Sequence, residues 1–173
     1  MTTHTQYGDA QYGDTQYGNA HPGDARDGRR FDVRAAAPDA HAAMAAFDAA
    51  AGAGLDPSLA ELVRIRASQL NGCGMCLAMH TDAARRFGED ERRLRALASW
   101  RGSPLFSHAE RAALALTEAM TAIGEGVPQR VLDAARDHFD DARLAHLMWT
   151  IAAINAWNRV GIAASALAAD EGG

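Results

Sequence analysis

The sequence contains no lysine; all 17 of its Lys/Arg positions are arginine. That absence excludes Schiff-base catalysis, the phosphate-binding lysine of P-loop proteins and kinase-type chemistry, each of which needs a primary amine. Aromatic residues are scarce, at 6% of 173 positions, and β-branched residues are few. No segment alternates apolar and polar residues over the length of a strand, so neither a β-sandwich nor a βαβ unit can be drawn. Long apolar runs are missing too. The most hydrophobic stretch, residues 144–169, is interrupted by His146, Asn155, Asn158 and Arg159, which argues against a membrane-spanning helix. A basic surplus is also lacking: the net charge is −5 and the arginines are dispersed, so there is no footprint for nucleic acid or an anionic membrane surface. Two cysteines three positions apart cannot form the multi-bridge framework of a small secreted domain. With residues 1–20 polar rather than apolar, the expected location is the cytoplasm.

What the chain has in abundance is alanine, at 40 positions, the strongest helix former; composition therefore favours an all-α protein. Residues 1–34 differ in kind. They repeat Gln6-Tyr7-Gly8-Asp9, Gln11-Tyr12-Gly13-Asp14 and Gln16-Tyr17-Gly18-Asn19, and such glycine-rich polar sequence buries too little apolar surface to offset its ordering entropy. We expect a disordered tail there and one helical domain over residues 35–173. The evenly spaced tyrosines are a candidate docking element, with a solvated tail as the simpler reading.

Helix signals then follow in order. Residues 38–51 are alanine-rich, with Met44 and Phe47 spaced for one face, and Gly52 and Gly54 break the run. Asp56 and Pro57 supply a cap and a first-turn proline for a helix to about Leu70, along which Leu59, Leu62, Val63, Arg66 and Leu70 lie near one face. Asn71-Gly72 ends it, and another helix starts around Cys73 and runs to Phe87. A short helix over residues 89–100, one over residues 109–123 opened by the capping box Ser107-x-x-Glu110, one over residues 128–139, and a long one from Asp140 or Asp141 to about Ala168 complete a bundle of six to seven helices.

The chemistry concentrates at Cys73-Gly74-Met75-Cys76, followed by His80. Two residues between cysteines at a helix start place their Cα atoms within reach of a disulfide. Cys76 and His80 are four apart, one turn along the same face. Unpaired N–H groups of a first turn stabilise a thiolate, and an imidazole can take or return its proton. That set suits peroxide reduction or thiol–disulfide exchange. Two other readings stay open: a pair of small packing cysteines with a core histidine, and a zinc site, which would need a fourth ligand that no second CxxC or HxxxH provides. A thioredoxin motif is excluded because its βαβ setting is absent. Asn155 and Asn158 are candidates for hydrogen bonds across helices or for the lining of a cavity near the sulfurs. Arg64 and Arg66 are candidates to pair with Glu61 across the helix or to attract an anionic substrate, with a solvated or ion-paired face as the default reading. No metal, flavin or haem motif appears, so no bound cofactor is expected.

The segment from Glu61 to Arg85, with the pattern E-x11-C-x2-C-x3-H at Glu61, Cys73, Cys76 and His80, resembles the AhpD-like alkylhydroperoxidases of the carboxymuconolactone decarboxylase superfamily. The resemblance extends through Trp100-Arg101, residues 107–118 and residues 151–159. It implies an all-α bundle assembled as a homo-oligomer, a trimer or hexamer, acting on organic hydroperoxides in antioxidant defence. Cys76 would attack the peroxide, Cys73 would resolve the product as a disulfide, and Glu61 and His80 would form a proton relay. Electrons would come from an external thiol or a lipoyl-type protein. The best-studied members carry histidine between the cysteines where this chain has Met75, which removes one proton shuttle. The decarboxylase branch does not use this dithiol. On its own terms the last helix, with Leu147, Met148, Trp149, Ile151, Ile154 and Trp157 spread over several faces, calls for a partner surface.

Overall fold

The computed structural model describes residues 32–169. Among these residues all regular structure is helical: α1 (Val33–Ala36), α2 (Pro38–Gly52), α3 (Pro57–Asn71), α4 (Gly74–Arg86), α5 (Glu91–Ala96), α6 (His108–Thr121), α7 (Gln129–Arg136) and α8 (Asp141–Ala169). Two 3-10 segments, Leu97–Gly102 and Ile123–Glu125, flank α6. The count is eight rather than the six to seven expected. The addition is α1, a single turn whose second and third N–H groups donate to the Asp32 side chain, at 2.9 Å from Arg34 N and 3.1 Å from Ala35 N. It begins inside the segment assigned to the tail. The rest of that assignment, residues 1–31 with the tyrosine repeat, lies outside the described residues.

The sequence's punctuation sets most helix ends. Asp56 Oδ1 accepts from Leu59 N at 3.1 Å to cap α3, and Pro57 opens it. The capping box of α6 is closed in both directions, Ser107 N to Glu110 Oε2 at 2.6 Å and Glu110 N to Ser107 Oγ at 3.2 Å. Asp140 caps α8 through Arg143 N at 2.8 Å. The helix expected over residues 89–100 is shorter, because Ser99 leaves helical geometry. The kink accompanies a buried Trp100, whose Nε1 donates to Glu118 Oε1 at 2.8 Å.

Helix α3 is the hub on which α4, α6 and α8 pack. Leu59 and Val63 join one apolar cluster with Leu116, Leu147 and Ile151. Leu62 and Ile65 join a second with Leu97, Trp100 and Leu114. Each such fully buried side chain contributes roughly 1.5–3 kcal/mol. A third stripe of α3 is polar: Glu61, Arg64, Ser68 and Asn71, at i, i+3, i+7 and i+10, with the first three fully buried. Leu70, expected inward, is exposed, since Asn71 makes the contacts with α8 at that turn. Along α8, Leu147, Ile151 and Ile154 are buried while Met148, Trp149, Val160 and Ile162 remain exposed, so its apolar surface does exceed what this fold covers. Trp149 lies edge-on to Phe47 of α2, and Trp157 to His41.

Candidate redox site

The turn between α3 and α4 builds the sulfur half of the site. Gly72 adopts φ +73°, a left-handed conformation that costs a side-chain-bearing residue and lets the chain reverse within one residue. Cys73 follows as the N-cap of α4, its backbone N–H returning to Ser68 O at 3.1 Å. Cys76 is the third helical residue, and its N–H donates to Cys73 Sγ at 3.4 Å. The two cysteines are joined as a disulfide, with Cα atoms 5.3 Å apart. Both are buried, whereas Met75 between them is 46% exposed. Gly161 of α8 faces them: a Cβ placed there would stand 3.5 Å from the Met75 methyl and 3.7 and 3.8 Å from the Cys73 and Cys76 sulfurs. Backbone alone therefore lines this side of the bridge.

The proton-handling half comes from α3, α4 and α2. His80, buried one turn beyond Cys76, has Nδ1 2.8 Å from Glu61 Oε2. Glu61 Oε1 accepts from Arg64 Nη1 at 2.8 Å, and Arg64 Nη2 donates to Asp48 Oδ1 of α2 at 3.1 Å. All four side chains are buried. Burial alone would raise the Glu61 carboxyl; the hydrogen bond and charge of His80 and the charge of Arg64 outweigh it and hold Glu61 below its ordinary value. An ionised carboxylate can only accept, so His80 Nδ1 donates to it; whenever the ring is neutral, its lone pair is then on Nε2. Nε2 is buried and has no hydrogen-bond partner among the described residues. His80 lies on the face of α4 that carries Cys76, one turn further along.

The remaining polar residues bind the site to α8. Asn71 Nδ2 donates to both Asn155 Oδ1 and Asn158 Oδ1, each at 2.9 Å, and Asn158 Nδ2 donates to Ser68 Oγ at 3.1 Å. Of the two roles open to Asn155 and Asn158, cross-helix bonding is thus the one they perform. His146 stays outside this network, with Nδ1 2.9 Å from Ala51 O. Arg64 and Arg66, read from sequence as a solvated or ion-paired face, are ion-paired; Arg64 is buried, and Arg66 bonds Glu118 at 2.7 Å. Of the four residues in the E-x11-C-x2-C-x3-H pattern, the structure pairs Glu61 with His80 and Cys73 with Cys76, and His80 follows Cys76 by one turn of α4. The sequence reading missed Asp48 and Gly161 as parts of the site, and it raised the pairing of Arg64 with Glu61 without preferring it to a surface role. A signal existed for Arg64, the polar spacing along an otherwise apolar α3. For Gly161 there was none. Among the described residues, no group of three or more His, Cys, Asp or Glu side chains is arranged to hold a metal ion.

Fold and site together define an all-α protein with an oxidisable cysteine pair at a helix start, backed by a carboxylate–imidazole pair. The chain belongs to the carboxymuconolactone decarboxylase family, in its AhpD-like group. The family model matches residues 38–119, which hold every side chain of the two halves just described except those contributed by α8. Uncharacterized protein YdfG of Bacillus subtilis is 42% identical over 104 residues, 60% of this chain and 71% of that protein. Uncharacterized protein YnjA of Escherichia coli is 36% identical over 94 residues, 54% of this chain and 51% of its own length. A crystal structure of a protein of unknown function from Agrobacterium tumefaciens, for which identity as the antioxidant defence protein AhpD has been suggested, superposes with a TM-score of 0.74 at 33% identity, covering 78% of this chain and 93% of that one.

Proposed function

We propose that this protein is a thiol-dependent peroxidase that reduces organic hydroperoxides through the Cys73–Cys76 pair, in the manner of the alkylhydroperoxidases its family resembles. The observation that carries the reading is the buried, unpartnered Nε2 of His80, held as an acceptor by the Glu61 carboxylate one turn from Cys76. In the reduced protein the Cys76 S–H passes its proton to Nε2, and the thiolate attacks one oxygen of ROOH. An S–O bond forms, the O–O bond breaks, and the leaving alkoxide takes the proton from His80 as ROH. Cys73 then attacks the Cys76 sulfur: an S–S bond forms, the S–O bond breaks, and hydroxide leaves with the Cys73 proton as water. The pair loses two electrons and the peroxide gains them. The oxidised bridge described above is the product of that sequence, and an external dithiol, of a small molecule or a lipoyl-type protein, returns it to the start. Glu61, Cys73, Cys76 and His80 are the catalytic residues; neither cofactor nor metal takes part. The exposed Phe47, Trp149, Val160 and Ile162 on α2 and α8 support assembly as a homo-oligomer, a trimer or hexamer by family resemblance. Among the described residues no helix is long and apolar enough to cross a membrane.

A second reading, dithiol–disulfide exchange with a protein partner, is favoured by Met75, an exposed apolar side chain where a histidine would shuttle protons. One experiment separates the two. Reduced wild type and Cys76→Ser are mixed with one equivalent of cumene hydroperoxide, and peroxide loss and the Cys73–Cys76 bridge are followed together. The peroxidase reading requires stoichiometric consumption and bridge formation in wild type and neither in the variant. Bridge formation with a disulfide reagent, but not with peroxide, assigns the protein to exchange.

A further inference from the structure

Behind the Glu61–His80 pair lies a second layer that the reaction as written does not use. The Arg64 guanidinium sits between two buried carboxylates, Nη1 on Glu61 Oε1 at 2.8 Å and Nη2 on Asp48 Oδ1 at 3.1 Å. Room for it is made by Gly52 at the end of α2, where an added Cβ would stand 2.7 Å from Arg64 Nη2. Two helices, α2 and α3, thus meet at one planar fork, and the fork geometry is what only arginine offers.

A buried ion network of this kind is a poor source of stability, since desolvating its charges offsets most of their attraction. Its effect on hydrogen-bond direction is larger. Glu61 has two oxygens and two donors: Arg64 on Oε1 and His80 on Oε2. While Arg64 holds Oε1, the carboxylate is an acceptor toward Nδ1 and the His80 lone pair lies on Nε2. Without the guanidinium, a carboxyl buried at this depth gains by taking up a proton. It would then donate to Nδ1, the imidazole proton would sit on Nε2, and the acceptor one turn from Cys76 on α4 would be lost. Around this point α2 contributes Asp48, α3 Glu61 and Arg64, α4 His80, and α8 His146, which bonds Ala51 O at 2.9 Å next to Gly52.

We propose that Arg64, seated against Gly52 and held by Asp48, is a positioning residue that fixes the His80 tautomer whose Nε2 accepts the Cys76 proton. The role goes beyond the four catalytic residues and rests on the reading of His80 as the base for Cys76. It involves one proton transfer: the Cys76 S–H bond breaks, an N–H bond forms on Nε2, and the imidazolium so created faces the Glu61 carboxylate. Arg64 itself touches neither sulfur nor substrate.

The test needs no peroxide. Full-length reduced protein is labelled with 15N at histidine, and the His80 tautomer is read from its two ring-nitrogen shifts by NMR. In parallel, alkylation of Cys76 by iodoacetamide is timed from pH 5 to 9 in a Cys73→Ser background. The variants are Arg64→Met, Arg64→Lys and the charge-compensated pair Asp48→Asn/Arg64→Met, which removes one charge of each sign and so protects the fold should Arg64→Met alone unfold. Loss of the clamp moves the protonated nitrogen from Nδ1 to Nε2 and slows alkylation near neutral pH by about tenfold, the low end of what a positioned base supplies. Lysine, a point charge without the fork, restores part of the rate. An unchanged tautomer and pH profile in the folded double variant overturns the proposal. Should the tautomer move as expected while wild type leaves cumene hydroperoxide untouched, the peroxidase reading fails and the role of Arg64 stands.

Discussion

Two arginine–glutamate clusters sit on opposite sides of α3, and only one has the makings of chemistry. Arg66 leads to Glu118 of α6, which also accepts from Trp100 Nε1 and pairs with the largely exposed Arg101. Arg64 leads to Glu61, with Asp48 beyond it and His80 on the far oxygen. Both glutamates are held below the ordinary carboxylate value; at both, burial pushes upward and is outweighed, at Glu61 by His80 and Arg64, at Glu118 by hydrogen bonds from Trp100, Arg101 and Arg66. A carboxyl held below its ordinary value therefore does not tell them apart. The difference lies in what is left over. All donors around Glu118 are permanently protonated or cannot give up a proton, so that cluster is closed. Around Glu61 one donor is an imidazole, and its second nitrogen is buried with nothing among the described residues to bond it. A functional cluster is recognised by its one unspent acceptor, not by its charges.

Substitutions that separate the clusters sharpen the contrast. The largest effect is expected at the sulfur that the Glu61 cluster serves: Cys76→Ser abolishes single-turnover consumption of cumene hydroperoxide and bridge formation, while circular dichroism stays that of wild type. Glu61→Gln comes next. A neutral amide in place of the carboxylate removes the acceptor that orients His80, and the peroxide rate falls about 100-fold. Glu118→Gln on the other side leaves the rate per folded molecule as it was and costs about 1–2 kcal/mol in urea unfolding, because Arg66 and Trp100 lose a charged acceptor. Equal rate losses in the two glutamine variants would erase the distinction.

Acid treats the clusters alike where stability is concerned. In the unfolded chain each glutamate has its ordinary value of 4.5, and in the folded protein a lower one. The unfolded state therefore takes up protons first as pH falls. The stability both clusters contribute is complete above the unfolded value and is lost as pH drops from there through the folded values. Thermal melts between pH 7 and pH 3 should fall on that limb, less steeply in Glu118→Gln. The smallest effect is reserved for Gly161. Alanine there meets both sulfurs and the Met75 methyl at ordinary contact distance, so Gly161→Ala leaves peroxide consumption within about twofold and gains up to about 1 kcal/mol of helix stability. A large loss would mean that the sulfurs are reached through that side alone.

Local features were the legible ones. Pro57, Gly72, the Ser107–Glu110 box and Asp140 state their helix boundaries within a few residues of chain, and Cys76 and His80 share a face by spacing alone. Glu61 was legible only through the wider pattern, because a glutamate 19 positions before a histidine announces no contact. Asp48 and Arg64 were harder still: they meet across two helices, in an orientation set by how α2 closes over α3 rather than by either segment. The early end of α5 was hidden as well, since helical periodicity runs on through Trp100 while the Ser99 kink follows from tertiary packing. The turn α1 was not legible either, because a single turn capped by Asp32 is too short for periodicity to register.

The disulfide closes a ring between positions only three apart in sequence. Cross-linking so short a loop removes little freedom from the unfolded chain, about 2 kcal/mol of stabilisation near room temperature on the chain-entropy account. Oxidised and reduced forms of a domain this size should then melt within about 8 °C of each other. A bridge between distant helices would make every reduction a step toward unfolding. This one can open and close while the bundle around it keeps its packing, and that decoupling is what a cysteine pair needs if it is to be spent and restored many times in the life of one molecule.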